Sequence, residues 1–163
     1  MNSQELIKQK IVSSERLAEL VSSWKAEGKK IVFTNGCFDL LHAGHIAYLS
    51  EAADLGDKLI VGLNSDSSVQ CIKGPERPVN NEQTRASVLA AMFFIDAVVF
   101  FSDDTPLELI KNVLPAILVK GGDYTIDTIV GAAETMANGG KVEVLTFLPG
   151  YSSTAIIEKI KKS

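Results

Sequence analysis

The chain has 163 residues, 46% of them hydrophobic and 22% charged, which is typical of one folded domain and excludes a disordered segment. Its formal net charge of -4 argues against broad electrostatic binding to nucleic acid or to an anionic membrane. A small anionic ligand is not excluded, because basic side chains can cluster locally within an acidic chain.

Residues 1–29 are predicted to form an N-terminal helical arm. Leu17, Leu20, Val21 and Trp24 recur at helical spacing, and Gly28 is a typical helix end. The arm lacks the apolar segment of a secretion signal, and no apolar run in the chain approaches the ~20 residues that span a bilayer. Since Cys37 and Cys71 have no metal-type spacing, we interpret them as free thiols and expect a cytoplasmic protein.

Residues 30–163 alternate between strand and helix patterns and are predicted to form the main domain. Nearly continuous apolar runs, typical of strands covered on both faces, lie at 30–35, 58–64, 97–101, 117–121 and 141–147. Helices are predicted at 44–55, 82–94, 105–113, 127–138 and 152–162. This alternation predicts an α/β fold with a Rossmann-like, doubly wound parallel sheet of five strands. The long connection at 65–81 is of a length that is often functional.

Ligands of such sheets bind outside the carboxyl ends of the strands, near the point where the strand order reverses. Four polar segments are predicted to meet at that edge: TNGCFDLLHAGH, NSD, VKGGD and PGYSST.

Both histidines of the chain, His42 and His45, lie in the first of these segments, before a predicted helix. Their spacing places them on one face of the first helical turn. A helix N-terminus attracts phosphate, and imidazole can donate hydrogen bonds to phosphate oxygens. Gly36 and Gly44 suit a close approach of backbone to ligand. A structural hydrogen bond or a metal site is the alternative, although no further ligands complete a metal site.

The segment GCFDLLHAGHI resembles the H-x-G-H signature of the cytidylyltransferase-like nucleotidyltransferase superfamily, and GYSSTAIIEKI resembles its second motif. Five segments in order resemble the D-glycero-β-D-manno-heptose 1-phosphate adenylyltransferase family over residues 30–161: TNGCFDLLHAGH, GLNSDSSV, KGPERPVN, ILVKGGDYT and STAIIEKI. In many bacteria this family forms the C-terminal half of a bifunctional protein with a sugar kinase. We expect a stand-alone form here, with a separate heptose kinase acting upstream.

The resemblance implies that ATP and heptose 1-phosphate give ADP-heptose and diphosphate by direct in-line attack on the α-phosphate. It also implies Mg²⁺ as cofactor, a homodimer, and a product that supplies lipopolysaccharide core or surface-layer glycans. Two alternatives stay open: a related enzyme such as a glycerol 3-phosphate cytidylyltransferase, and a non-catalytic nucleotide-binding module.

The resemblance assigns His42 and His45 as donors to the α- and β-phosphates and Lys73 as a mobile cation on phosphate, all three catalytic. The implied nucleotide contacts are Asn35, Gly36, Cys37, Phe38, Asp39, Gly44, Arg85, Lys120, Gly121, Gly122, Asp123, Ser152, Ser153 and Thr154. The implied contacts to the sugar phosphate are Asn64, Asp66 and Arg77.

Structural roles compete with several of these assignments. Lys73 could be a solvated surface lysine, and Arg85 could be exposed or paired with a carboxylate. Asp39 could cap a helix or contact Mg²⁺, and no other protein ligand for a metal is assigned. Ser152, Ser153 and Thr154 could serve only as helix caps. Some relatives carry an arginine just before this last motif, and the segment FLPGYSST lacks it.

The large aromatic residues are interpreted as core or dimer-interface residues rather than as a platform for a base. They are Trp24, Phe93, Phe94, Phe100 and Phe101.

Overall fold

A parallel sheet of six strands organises the chain in the computed structural model, which describes residues 1–163. The strands are β1 (Ile11–Val12), β2 (Ile31–Gly36), β3 (Lys58–Asn64), β4 (Ala97–Phe101), β5 (Ile117–Gly121) and β6 (Lys141–Leu145). Their order across the sheet is β1-β4-β3-β2-β5-β6, and every neighbouring pair is parallel. The chain builds outward in both directions from β2, so the predicted Rossmann-like, doubly wound α/β fold is confirmed.

Helices connect the strands and cover both faces of the sheet. They are α1 (Ser3–Lys10), α2 (Ser14–Ala26), α3 (Ala43–Ala53), α4 (Asp66–Lys73), α5 (Glu82–Ala90), α6 (Leu107–Val113), α7 (Ala132–Ala137) and α8 (Ser153–Lys161), with a 3₁₀ turn at Ile126–Thr128. None of the helices combines the length and the apolar character needed to cross a bilayer.

Two hydrophobic cores of similar size, with 16 and 15 buried residues, lie on opposite faces of the sheet. Successive strand residues alternate between them: Val32 and Val61 belong to one core, and Phe33 and Ile60 to the other. Because both faces are covered, the strands need apolar residues at every position, which is why they are nearly continuous apolar runs in the sequence.

The sheet contains one strand more than the five predicted. Ile11 and Val12 pair in parallel with Val98 and Val99 at the edge of the sheet. A strand of two residues has no readable periodicity, and its position depends on pairing with a distant segment.

Several predicted elements are shorter in the structure by a few residues, and two predicted segments differ in other ways. The connection at 65–81 contains the helix α4, which begins where the Ser65 hydroxyl accepts a hydrogen bond from the Ser68 amide at 3.3 Å. The helix predicted at 127–138 starts only at Ala132, because Gly131 has a φ of +84°, which a helix cannot contain.

Most of the aromatic residues predicted to be core or interface residues belong to the two hydrophobic cores or pack against them. Phe101 is buried, and Phe94, Phe100 and Trp24 pack against the two cores, whereas Phe93 is 91% exposed. The part that such residues play in a dimer stays a prediction.

A buried arginine at the start of α5 joins four segments at the carboxyl edge of the sheet. Nη1 of Arg85 donates to the carbonyl oxygen of Cys37 at 2.7 Å and to that of Asn64 at 2.8 Å. Its Nη2 donates to Asp66 Oδ1 at 2.8 Å, and its Nε donates to the Asn80 carbonyl oxygen at 3.1 Å. Since Arg85 is only 1% exposed, water cannot replace these partners.

We expect Arg85→Met to lower the free energy of unfolding by about 3 kcal/mol, because it leaves buried carbonyl oxygens without donors. The matched control is Arg16→Met, which removes an exposed ion pair to Glu19 and should cost less than about 0.5 kcal/mol. Urea unfolding of both variants measures the difference, and equal losses would contradict the role given to Arg85.

Candidate functional site

A cavity of about 550 Å³ opens at the carboxyl edge of the sheet, where β2 and β5 end side by side. It is lined by Asn35, Gly36, Cys37, Phe38, Asp39, His45, Tyr48, Lys73, Arg77, Lys120, Gly121, Gly122, Asp123, Tyr124, Phe147 and Ser153. The cavity lies at the reversal of the strand order, as the sequence predicts. Thirteen of the sixteen lining residues are among the predicted site residues.

The two histidines lie together at the N-terminus of α3. Their rings stack with centroids 3.9 Å apart, and the ring of Tyr151 stacks on the other side of His42 at 5.8 Å. A Cβ atom on Gly44 would lie 2.9 Å from both His42 Nδ1 and Tyr151 Cβ, so this stack requires glycine. Of the two histidines, only His45 lines the cavity, whereas His42 lies between His45 and Tyr151.

The backbone assigns the tautomer of His45. The amide of His42 donates to His45 Nδ1 at 3.3 Å, so the proton of the neutral ring is on Nε2. Burial, together with the neighbouring His42, lowers the pKa of His45 to about 4. At neutral pH the ring is therefore an uncharged donor with Nε2–H available to a ligand in the cavity.

The cavity holds more cationic than acidic side chains although the chain as a whole is acidic. Its cations are Lys73, Arg77 and Lys120, and its carboxylates are Asp39 and Asp123. The ammonium of Lys120 lies 5.2 Å from the ring centroid of Tyr124, and its burial lowers its pKa. This local excess of positive charge suits an anionic ligand.

Asp39 has no free oxygen to offer to a metal ion. Its carboxylate accepts hydrogen bonds from Arg77 Nε at 2.8 Å, from the Val79 amide at 2.8 and 2.9 Å, and from the Asn80 amide at 2.9 Å. The side chains of the chain form no cluster of three or more metal-binding groups. The carboxylate of Asp39 is thus occupied within the protein, and its contact with a magnesium ion stays a prediction. Asp39 does not cap α3, because the N-cap of that helix is His42.

Three aromatic residues of the cavity are absent from the predicted set: Tyr48, Tyr124 and Phe147. A Cβ atom on Gly121 would lie 2.6 Å from ring atoms of Phe147, so the glycine lets this ring lie against the backbone. Tyr48 could have been found from its position three residues after His45 on the same helix. Tyr124 directly follows the VKGGD segment, and Phe147 follows β6 at the same edge of the sheet.

The three hydroxyl residues at the start of α8 have different positions. Ser153 lines the cavity, and its Oγ donates to the carbonyl oxygen of Leu40 at 2.6 Å. Ser152 is the helix cap, since its Oγ accepts from the Ala155 amide. Thr154 lies outside the cavity, in a neighbouring cleft.

Three further predicted residues are engaged within the protein and do not line the cavity. The amide group of Asn64 donates to Ser68 Oγ at 2.9 Å, and Asp66 pairs with Arg85 at 2.8 Å. Arg85 was predicted to contact phosphate, but its guanidinium is committed to four protein oxygens. The alternative of a carboxylate partner is the one that the structure supports.

The thiol of Cys37 is half-buried at the cavity wall. Burial raises the pKa of this thiol, while nearby Lys73 and two arginines lower it by a smaller amount. The thiol therefore stays protonated and adds no negative charge to the cavity.

We predict that His45 makes the stability of the protein depend on pH. Because its pKa is lower in the folded chain than in the unfolded chain, the unfolded state binds more protons between pH 6.5 and about 4. Stability is therefore lost as the pH falls through this window. His45→Asn should show a shallower loss than the wild type in urea unfolding across the window. Parallel curves for the two proteins would contradict the assignment.

Comparison with known proteins places this geometry in a family. Residues 33–159 match the cytidylyltransferase-like family. The chain is 55% identical over 151 residues to the bifunctional protein HldE of Aliivibrio fischeri, covering 93% of this chain and 32% of that protein. It is 51% identical over 154 residues to HldE of Geobacter sulfurreducens, covering 94% of this chain and 31% of that protein. The chain thus spans about a third of the length of these relatives.

Two solved structures share the fold. The lipopolysaccharide core biosynthesis protein from Thermoplasma volcanium has a TM-score of 0.60 and 26% identity, covering 74% of this chain and 98% of that one. Pantoate-beta-alanine ligase from Francisella tularensis has a TM-score of 0.58, covering 94% of this chain and 78% of that one, but its 15% identity supports the fold alone. The family match over most of the chain shows that this chain belongs to the cytidylyltransferase-like family.

Proposed function

We propose that this chain is an adenylyltransferase that converts ATP and D-glycero-β-D-manno-heptose 1-phosphate to ADP-heptose and diphosphate. The observation that carries the proposal is the neutral His45 donor at a cavity with three cationic side chains. The 55% identity to HldE supports the choice of reaction, together with the five motifs that resemble heptose 1-phosphate adenylyltransferases.

In the proposed reaction, a phosphate oxygen of the sugar phosphate forms a bond to the α-phosphorus of ATP. The bond from that phosphorus to the oxygen bridging to the β-phosphate breaks, and diphosphate leaves with the electron pair. The attacking phosphate is mostly ionised at neutral pH, since its second pKa is about 6, so the site needs no general base. Catalysis then depends on positioning and on stabilising negative charge.

The residues of the cavity suit these two tasks. His45 Nε2–H can donate a hydrogen bond to a phosphate oxygen, and the neutral ring does so without transferring a proton. The ammonium of Lys73, an exposed side chain at the cavity, makes no hydrogen bond within the protein and can reach a ligand as a mobile cation. The aromatic side chains of Tyr124 and Phe147 line the cavity beside Gly121 and Gly122 and offer surfaces for a nucleobase.

The proposal includes Mg²⁺ as a companion of the triphosphate rather than as a protein-bound ion, because the carboxylate of Asp39 is fully occupied. When bound, the Mg²⁺ ion would neutralise part of the negative charge of the phosphate groups. No step derived from this chain's residues depends on it.

We further propose a cytoplasmic homodimer that uses the product of a separate heptose kinase. The free thiols of Cys37 and Cys71 support a reducing compartment, and the exposed side chains of Leu6 and Phe93, which line one cleft, support a contact between copies. Light scattering after size-exclusion chromatography tests the dimer, and a monomer at micromolar concentration would contradict it.

The reaction can be tested by measuring diphosphate release with ATP or CTP, each combined with heptose 1-phosphate or glycerol 3-phosphate. We expect release with ATP and heptose 1-phosphate to exceed every other combination by about 10-fold or more, a difference of ~1.4 kcal/mol in transition-state binding. A preference for CTP and glycerol 3-phosphate would support the cytidylyltransferase alternative. ATP binding without release for any acceptor would support a non-catalytic module.

We predict that His45→Asn lowers kcat by about 10²–10³-fold, because it removes a donor to charge that develops in the transition state. The Kd for ATP should change by less than about 10-fold, which a titration of the variant would show. Ile46→Ala is the matched control on the same helix, since Ile46 is 48% exposed and does not line the cavity. A kcat for His45→Asn equal to that of the control would remove His45 from the reaction.

A further inference from the structure

The two arginines near the carboxyl edge differ in how many of their guanidinium N–H groups lack a protein partner. Arg85 is committed through Nε, Nη1 and Nη2 to protein oxygens. The guanidinium of Arg77 makes a single hydrogen bond, from Nε to Asp39 Oδ2 at 2.8 Å, and its Nη1 and Nη2 have no protein partner. Only 13% of its side chain is exposed, and it lines the cavity.

A guanidinium bound through Nε has a defined orientation. The Nε–H bond fixes the plane of the fork, and the four N–H groups on Nη1 and Nη2 remain for a ligand. Paired donors of this kind match the oxygens of a phosphate group. The Nη1 and Nη2 atoms are not among the buried polar atoms that lack partners, so they face the open cavity, where the oxygens of an anionic ligand can bind them.

Asp39 is well placed to set this orientation because it is itself held rigidly. Its side chain is 1% exposed and accepts amide hydrogen bonds from Val79 and Asn80 in addition to the bond from Arg77. The side-chain amide of Asn80 donates a hydrogen bond from Nδ2 to the backbone carbonyl oxygen of Asp39 at 3.3 Å. The carboxylate thus fixes both the loop that carries Arg77 and the direction of its guanidinium.

We propose that Arg77 binds a phosphate group in the cavity through Nη1 and Nη2, and that Asp39 is the positioning residue that aims it. This inference rests on the proposed function for the source of the phosphate, which is ATP or the sugar 1-phosphate. Asp39, which the sequence suggests as a ligand or magnesium contact, then acts only through Arg77.

Because Asp39 is negatively charged, its two possible effects on anion binding, charge repulsion and positioning of Arg77, have opposite signs. A carboxylate next to an anion site weakens anion binding by repulsion, so its removal alone would tighten binding. Loss of a positioning residue has the opposite effect, because Arg77 must then be ordered when the ligand binds.

The test is calorimetric titration of the full chain with three separate probes: ATP, heptose 1-phosphate and inorganic diphosphate. We expect Arg77→Met to weaken at least one probe by about 10-fold or more, since a charge-assisted pair of bonds is lost. Asp39→Asn should weaken the same probe by about 3–10-fold. When Arg77→Met is already present, adding Asp39→Asn should change the Kd by less than about 2-fold, because Asp39 then has no guanidinium to orient.

Glu76→Gln is the matched control, because it removes a carboxylate from the same loop. Glu76 is exposed, pairs with Lys161 at 2.9 Å and does not line the cavity. Its Kd values should equal those of the wild type. Arg77→Lys keeps the charge but loses the fork, so it should bind the sensitive probe about 10-fold more weakly, and it provides the test if Asp39→Asn does not fold.

The inference would be overturned if Asp39→Asn bound the probes more tightly, or if it weakened binding equally with and without Arg77→Met. It would also be overturned if Arg77→Lys bound like the wild type, or if the wild type bound none of the probes. The probe that responds identifies the source of the phosphate. If the pattern holds for ATP or diphosphate while heptose 1-phosphate gives no turnover, the proposed function fails and the inference about Arg77 stands.

Discussion

The guanidinium of Arg85 is the constraint on which the carboxyl edge of this sheet depends. A buried cation needs hydrogen-bond partners, and Arg85 finds them in oxygens after β2, at the end of β3, at the start of α4 and before α5. Because β2 and β3 are neighbours, one side chain can reach the end of both. The bond to the Asn80 carbonyl oxygen also fixes the loop whose amides hold Asp39. Loops that would otherwise be mobile are thereby positioned before a ligand arrives.

The charged groups of the site divide into those that the protein satisfies and those that it leaves free. Arg85 binds four protein oxygens and both oxygens of Asp39 accept hydrogen bonds, so these two side chains act by fixing the geometry of the site. Lys73 and the Nη atoms of Arg77 have no protein partners, and His45 keeps one N–H group for a ligand. Side chains whose own partners are fixed can present such free donors without reorganisation, which is what electrostatic stabilisation of a phosphate transfer requires.

The order of strands and helices, and the edge of the sheet that carries the site, could be predicted from sequence because they depend on local patterns. The apolar runs predict the strands, and the polar segments after them predict the edge at which His45 and Lys120 meet. β1 could not be found, since two residues gain their structure only by pairing with β4. The resemblance implies a phosphate contact for Arg77 and leaves a carboxylate partner open for Arg85, but the sequence does not show which of the two guanidinium groups the protein occupies. That depends on contacts of Arg85 with Cys37 and Asn64, residues distant in the chain.

A crystal structure of the protein with ATP and a non-reactive sugar phosphate tests the central claim most directly. The account predicts that Arg85 keeps its bonds to Asp66 and to the carbonyl oxygens of Cys37 and Asn64, while a phosphate oxygen lies within hydrogen-bond distance of His45 Nε2. A complex in which Arg85 leaves these partners to bind phosphate, or in which the triphosphate lies away from His45, would contradict it.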